Sequence, residues 1–268
     1  MSPHILVFDS GIGGTSVLAH IKASIPSAHF SYVMDNALLP YGLQSEQTIR
    51  ARLAALVQYI DEQELNVDII VIACNTASTS ALEATRQLTR ISIVGVVPAI
   101  KPAAALSDTK HIALLATPAT SNNAYTHSLI EQFAQGLRVD LHHSTALVTF
   151  AEALYWNRLV EDAKVVTELH RIAIAPEVDT IVLGCTHFPI LKRHFEQFYS
   201  SDVKLVDSGE AIARRVQSLL AQAGKYTMIL CERDLSRKKP LQFYATAPDK
   251  ISFTEQEIKL ISLNSISY

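Results

Sequence analysis

The chain has 268 residues, 49% of them hydrophobic, and a formal net charge of −3. That balance excludes a nucleic-acid surface or an anionic-membrane binder, which need clustered excess Lys and Arg, and no apolar run approaches the ~18–20 residues of a membrane span. Three cysteines with no CxxC or HxxxH spacing argue against a disulfide framework or a zinc site, and fit a reducing compartment with free thiols.

The first apolar run, Ile5–Phe8, is short, has no basic segment ahead of it and runs into Asp9, unlike a signal peptide. A cytoplasmic protein is therefore expected. Further β-rich runs follow at Phe30–Met34, Asp68–Ala73, Ile91–Val97, His111–Ala116, Arg138–His142, Asp179–Gly184 and Val203–Val206. Helices are predicted between them over Gly14–Ala23, Gln47–Glu64, Thr76–Thr89, Asn122–Ala134, Ala163–Ala175, His187–Phe198 and Glu210–Ala223. Within Gln47–Glu64, the apolar positions Ile49, Leu53, Leu56 and Ile60 fall three and four apart and make one helical face. Nearly unbroken apolar strands such as Ile69-Ile70-Val71-Ile72-Ala73 indicate burial on both faces. The β-then-α order predicts an α/β fold built on parallel sheets.

A faint internal repeat divides the chain. Asp68-Ile-Ile-Val-Ile-Ala-Cys-Asn-Thr lines up with Asp179-Thr-Ile-Val-Leu-Gly-Cys-Thr-His, and His4-Ile-Leu-Val-Phe-Asp-Ser with His111-Ile-Ala-Leu-Leu-Ala-Thr. The spacing is about one α/β domain. Duplication predicts two similar domains related by a pseudo-twofold axis, and Pro98–Pro102 is the expected crossing between them.

Ligands of open α/β sheets collect beyond the carboxyl ends of the strands. Polar clusters occupy those ends: Asp9-Ser10-Gly11-Ile12-Gly13-Gly14, Cys74-Asn75-Thr76-Ala77-Ser78, Ala116-Thr117-Pro118-Ala119-Thr120-Ser121 and Cys185-Thr186-His187-Phe188-Pro189, with Pro40-Tyr41-Gly42 after the second strand. Taken singly, each also reads as a turn or helix cap. The two cysteines in matched settings, each ahead of a predicted helix start that lowers a thiol pKa, say more. A cysteine hydrolase needs one thiol and a base, and a redox pair is usually CxxC. Stereoinversion at carbon needs a base on one face and an acid on the other, which two thiols across a pseudo-twofold axis supply. Cys231 lies in no such cluster, and Arg237-Lys238-Lys239 reads as a solvated turn.

At these residues the chain resembles the glutamate racemases of the aspartate/glutamate racemase superfamily, from about residue 4 to 223. The motifs are Asp9–Gly14, Pro40-Tyr41-Gly42, Cys74-Asn75-Thr76-Ala77, Pro98–Pro102, Gly184–Pro189 and Val206-Asp207-Ser208. The resemblance implies interconversion of L- and D-glutamate without pyridoxal phosphate or metal, supplying D-glutamate for peptidoglycan. It implies Cys74 and Cys185 as the proton donor/acceptors, Cys74 acting on the D- and Cys185 on the L-enantiomer, with Asp9, His187 and Glu152 assisting. Substrate contacts would come from Asp9, Ser10, Tyr41, Gly42, Asn75, Thr76, Thr117, Thr120, Thr186 and His187. Domains of 1–98 plus 207–268 and of 99–206 are expected to face each other across the site, and self-association as a homodimer is a further expectation. Ala119 departs from the family's glycine and Gln44 from its basic residue. The alternatives are a racemase for aspartate or a related amino acid, and a non-catalytic two-domain amino-acid-binding protein.

Overall fold

A computed structural model describes residues 2–225, 240–248, 251 and 257–263 of the chain. Cys231 and the Arg237-Lys238-Lys239 turn lie outside the described residues. Asp68 and Asp179, the aspartates that open the repeated segments, do the same job in the fold. Each stands just before a strand and accepts hydrogen bonds from amides at the start of its sheet's central strand or just ahead of it. Asp68 Oδ2 takes His4 N at 2.7 Å, and Asp179 Oδ2 takes Asp108 N at 2.6 Å and Thr109 N at 2.9 Å.

The strands they organise form two parallel sheets. The first contains β1 (His4–Asp9), β2 (His29–Met34), β3 (Ile69–Ile72), β4 (Ser92–Gly95), β9 (Gln242–Ala245) and β10 (Ile258–Leu260), in the order β10-β9-β2-β1-β3-β4. The second contains β5 (His111–Ala116), β6 (Arg138–His143), β7 (Thr180–Leu183) and β8 (Lys204–Val206), in the order β6-β5-β7-β8. The order β2-β1-β3-β4 is thus repeated as β6-β5-β7-β8, and the register repeats with it. Ile5 faces Ile69 as Ile112 faces Thr180, His4 faces His29 as His111 faces Arg138, and Ile69 faces Ser92 as Thr180 faces Lys204. Every residue of β1, β3, β5 and β7 is buried, as their unbroken apolar sequences require. Burial of each such Ile, Leu or Val side chain stabilises the fold by roughly 1.5–3 kcal/mol.

Helices cover both faces of each sheet. On the first, α1 (Thr15–Ser24) and α10 (Gly209–Gln222) pack one side, through Val17, Leu18 and Ile21 against Ile212, Val216 and Leu220. The other side carries α2 (Glu46–Glu62) and α3 (Asn75–Arg86). The predicted α2 face of Ile49, Leu53, Leu56 and Ile60 is fully buried, and the Ser45 hydroxyl caps the helix by accepting from Thr48 N, a contribution of about 1 kcal/mol. On the second sheet, α7 (Ala146–Tyr155), α8 (Asp162–Ile172) and α9 (Lys192–Phe198) cover one face, and α4 (Ile100–Leu106) and α6 (Ala124–Phe133) the other. The short α5 (Pro118–Ser121) follows β5. The chain passes to the second sheet after β4 and returns after β8. The two passages meet where Ser208 Oγ donates to Val97 O at 2.6 Å.

Several elements differ from expectation, among them β9 and β10, which the sequence did not indicate. The helix expected over His187–Phe198 is a 3-10 turn at Phe188–Leu191 followed by α9, with Phe188 N bonded to Cys185 O and Ile190 N to His187 O. α4 was not predicted; it starts at Ile100, inside the Pro98–Pro102 stretch expected as the crossing between the halves. α7 was not predicted, because its sequence, Ala-Leu-Val-Thr-Phe-Ala-Glu-Ala-Leu-Tyr, is apolar nearly all round and shows no helical contrast.

Candidate active site

The carboxyl ends of the two sheets face one another, and the sequence clusters meet there. A narrow cavity is lined by Cys74, Asn75 and Thr76 after β3, by Cys185, Thr186 and His187 after β7, and by Ser10 after β1. Tyr41 and Gly42 close one side and Thr117 another. Asp9, Glu152 and Thr120 do not reach the cavity surface; they support it from behind.

Cys74 is the N-cap of α3 and Cys185 precedes the 3-10 turn; both are buried and free of disulfide. Their surroundings differ. The Cys74 sulfur lies 3.9 Å from Ser10 Oγ and interacts with the carboxyl of Asp9. Asp9, fully buried at the end of β1, accepts from Ser10 N at 2.6 Å and from Thr186 Oγ1 at 2.9 Å, so it ties the first sheet to the second. The Cys185 sulfur lies 3.8 Å from His187 Nδ1, and His187 Nε2 lies 2.8 Å from Glu152 Oε1. Glu152 also accepts from Ile12 N at 2.9 Å and from the Trp156 indole at 3.1 Å.

Burial, and then the Asp9 charge, push the Cys74 thiol well above its ordinary pKa. A helix start there does not bring it towards neutrality, as the sequence suggested, because desolvation of the anion outweighs the Ala77 amide that favours it. Burial likewise raises Asp9, against the pull of His187 and the bonds from Thr186 and Ser10. Burial alone would deprotonate His187, but the Cys185 sulfur and the Glu152 carboxylate outweigh it and hold the imidazole proton well above the ordinary range. Burial raises Glu152 too, and His187, the Ile12 amide and the Trp156 indole more than offset it, leaving a carboxylate that ionises readily. One side of the cavity therefore holds a protonated thiol, and the other a proton-retaining imidazole beside a sulfur.

The glycine-rich loop serves this second side. A β-carbon at Gly13 would stand 2.5 Å from His187 Nδ1 and 2.6 Å from Thr186 Oγ1, and one at Gly11 would collide with Glu152. The anion its backbone meets through Ile12 N–H is the protein's own Glu152 carboxylate. Behind the far wall, the Thr76 hydroxyl lies 2.9 Å from that of Thr117 and 3.0 Å from that of Thr120. Thr117 is also the N-cap of α5, accepting from Thr120 N. The Tyr41 phenol is not offered to the cavity, since it donates to Asp35 Oδ2 at 2.6 Å. The Asn75 side-chain nitrogen, by contrast, is buried at the lining with no protein partner, as a donor awaiting a ligand oxygen would be. Among the described residues no group of His, Cys, Asp and Glu could hold a metal ion.

Pro40, of the Pro40-Tyr41-Gly42 motif, also lines the cavity, as does Val148, which the sequence does not single out. Val148 stands one helical turn before Glu152 on α7, so predicting α7 would have found it.

A family model described as Asp/Glu/Hydantoin racemase matches residues 13–216. This chain belongs to that racemase family. Its members with sequences similar to this one include a glutamate racemase of Shewanella denitrificans, 50% identical over 83% of this chain and 80% of the relative. A glutamate racemase of Vibrio vulnificus is 43% identical over 98% of this chain and 96% of its own. Among solved structures, Escherichia coli glutamate racemase in complex with L-glutamate and the activator UDP-MurNAc-ala superposes with a TM-score of 0.83 at 38% identity, covering 92% of this chain and 90% of that one. The chain is an enzyme of the isomerase class, and its two parallel-sheet domains are those of the glutamate racemase structures.

Proposed function

We propose that this enzyme interconverts L- and D-glutamate by moving the α-proton between Cys185 and Cys74, without a cofactor. The observation that carries the reading is the placement of both thiols on one cavity, each just past the third strand of its own repeat. The choice of glutamate rests on the similar sequences named above, which are glutamate racemases, and on the Asp9-Ser10-Gly11 opening.

In the L-to-D direction the Cys185 sulfur takes the α-proton. The C–H bond breaks, an S–H bond forms, and the electron pair passes into the substrate carboxylate. The Cys74 thiol then gives its proton to the opposite face of the carbon. Cys74 waits as thiol because burial and Asp9 keep it so, and His187, held protonated by Glu152, balances negative charge at Cys185. The reverse reaction exchanges the roles, with Asp9 and Ser10 serving Cys74. The unpartnered Asn75 amide suits a substrate carboxylate. On this reading the domains are 1–98 plus 207–268 and 99–206, and the D-glutamate feeds peptidoglycan assembly in the cytoplasm.

The test is incubation of the purified protein, with no cofactor added, with each enantiomer of glutamate and of aspartate in heavy water. Conversion of glutamate with deuterium at Cα of the product is expected. Preference for aspartate, or conversion of neither, overturns the reading.

A further inference from the structure

The described residues beyond α10 fall where the sequence showed no motif, yet they grip the loop after β2 that brings Tyr41 and Gly42 to the cavity wall. Asp35, at the end of β2, has a fully buried carboxylate that four donors share. Tyr41 OH and Arg52 Nε reach Oδ2 at 2.6 and 2.7 Å, and Arg52 Nη2 and Thr246 Oγ1 reach Oδ1 at 2.6 and 2.7 Å. Arg52 spends its remaining terminal nitrogen on the carbonyl of Leu263. Thr246 Oγ1 in turn accepts from Ala37 N at 3.0 Å. The Asn36 side chain donates to Ala247 O at 2.7 Å and accepts from the amides of Thr246 and Ala247 at 3.0 and 2.9 Å.

These bonds fix the base of the loop that carries Tyr41 and Gly42 into the cavity. The loop has little slack at its far end, where a β-carbon on Gly42 would stand 2.7 Å from Thr117 Cβ in the second domain. Asp35 N also donates to Asp9 O at 2.8 Å, so the same residue continues the strand pairing that seats Asp9. A carboxylate held by charge-assisted bonds on both oxygens is a rigid anchor, and a cavity wall displaced by an ångström can cost a large factor in rate or binding.

We infer that the described residues 240–248 and 257–263 form a strap that sets the Tyr41–Gly42 wall of the substrate cavity, with Thr246 and Arg52 as positioning residues acting through Asp35. The strap touches no reacting atom. Its effect falls on substrate binding, and the identity of that substrate rests on the reading given under Proposed function.

The experiment compares the full-length protein with Thr246→Val, which keeps the shape and removes the hydroxyl, and with Thr246→Ser, which keeps the hydroxyl. Thr246→Val is expected to raise KM for glutamate about five- to tenfold and leave kcat within about twofold. Backbone amide exchange over 36–44 should quicken, exchange over 69–86 should match the parent, and Thr246→Ser should restore both. Unaltered KM, or quickening shared equally by 69–86, overturns the strap. If the parent converts no glutamate, the substrate reading fails by itself. Exchange over 36–44 then decides the strap, upheld by quickening in Thr246→Val and overturned by none.

Discussion

His187 bridges Cys185 and Glu152, with Nδ1 3.8 Å from the sulfur and Nε2 2.8 Å from the carboxylate. Its ring is buried, so its proton is retained chiefly through those two neighbours. Glu152 is the neighbour that can be changed without touching a thiol.

Glu152→Gln keeps one acceptor oxygen, enough for Ile12 N, and removes the charge together with the second oxygen to which Trp156 Nε1 donates, so the fold should survive with the indole bond lost. The imidazole pKa should fall towards its ordinary value, and the alkaline limb of the pH profile should move to lower pH. A loss of about 10- to 100-fold in kcat/KM is expected. Because the two enantiomers are equal in energy, kcat/KM must fall equally in both directions. Full pH profiles with L- and D-glutamate check this.

Asp9→Asn removes the second cause of the raised Cys74 pKa and leaves the first, burial. The Cys74 thiol should therefore titrate lower than in the parent but remain above its ordinary range. Thiolate absorbance, with Asp9→Asn/Cys74→Ser as the reference, measures it. Activity should fall about 100-fold or more, as for loss of a group assisting proton transfer.

Gly13→Ala places a methyl group against His187 and Thr186. The imidazole must shift, and activity should drop about 100-fold, with a stability loss of about 1–3 kcal/mol from overpacking. Steady-state kinetics and a urea melt of the same preparation separate the two effects.

Asp179→Asn tests the repeat. Hydrogen bonds from the Thr109 and Asp108 amides, together with the Thr180 hydroxyl, overcome partial burial and hold its carboxyl far below the usual range. A depressed folded pKa gives stability that is present above the unfolded value of about 3.9 and is lost as the pH falls through the folded one. The variant should be about 1–2 kcal/mol less stable at neutral pH. The gap to the parent should narrow as the pH drops below about 4, read from urea midpoints across that range.

The central strands and strand-end clusters were legible in the sequence, because a strand buried on both faces has no choice but an unbroken apolar run. The repeated Asp, apolar run and Cys marked β3 and β7 and, through them, both thiols. Other features depend on contacts between distant residues. Glu152 meets His187 only because α7, uniform in hydrophobicity, lies across the second sheet. Tyr41 turns to Asp35 rather than to the cavity because Arg52 and Thr246 hold that carboxylate in place. The backbone of the Gly11–Gly13 turn meets the Glu152 carboxylate through Ile12 N–H, a contact across 140 positions that the loop's own sequence does not show. The direction of the Cys74 shift required knowing how deeply the sulfur is buried, which local motif spacing does not encode.

The most direct measurement is the initial rate of L-glutamate racemisation in heavy water by Cys74→Ser and Cys185→Ser, each with a melting curve. The account predicts that both variants keep the parent's thermal transition and lose racemisation by about 1,000-fold or more, while the parent's product carries deuterium at Cα. Parental activity in either variant would contradict it.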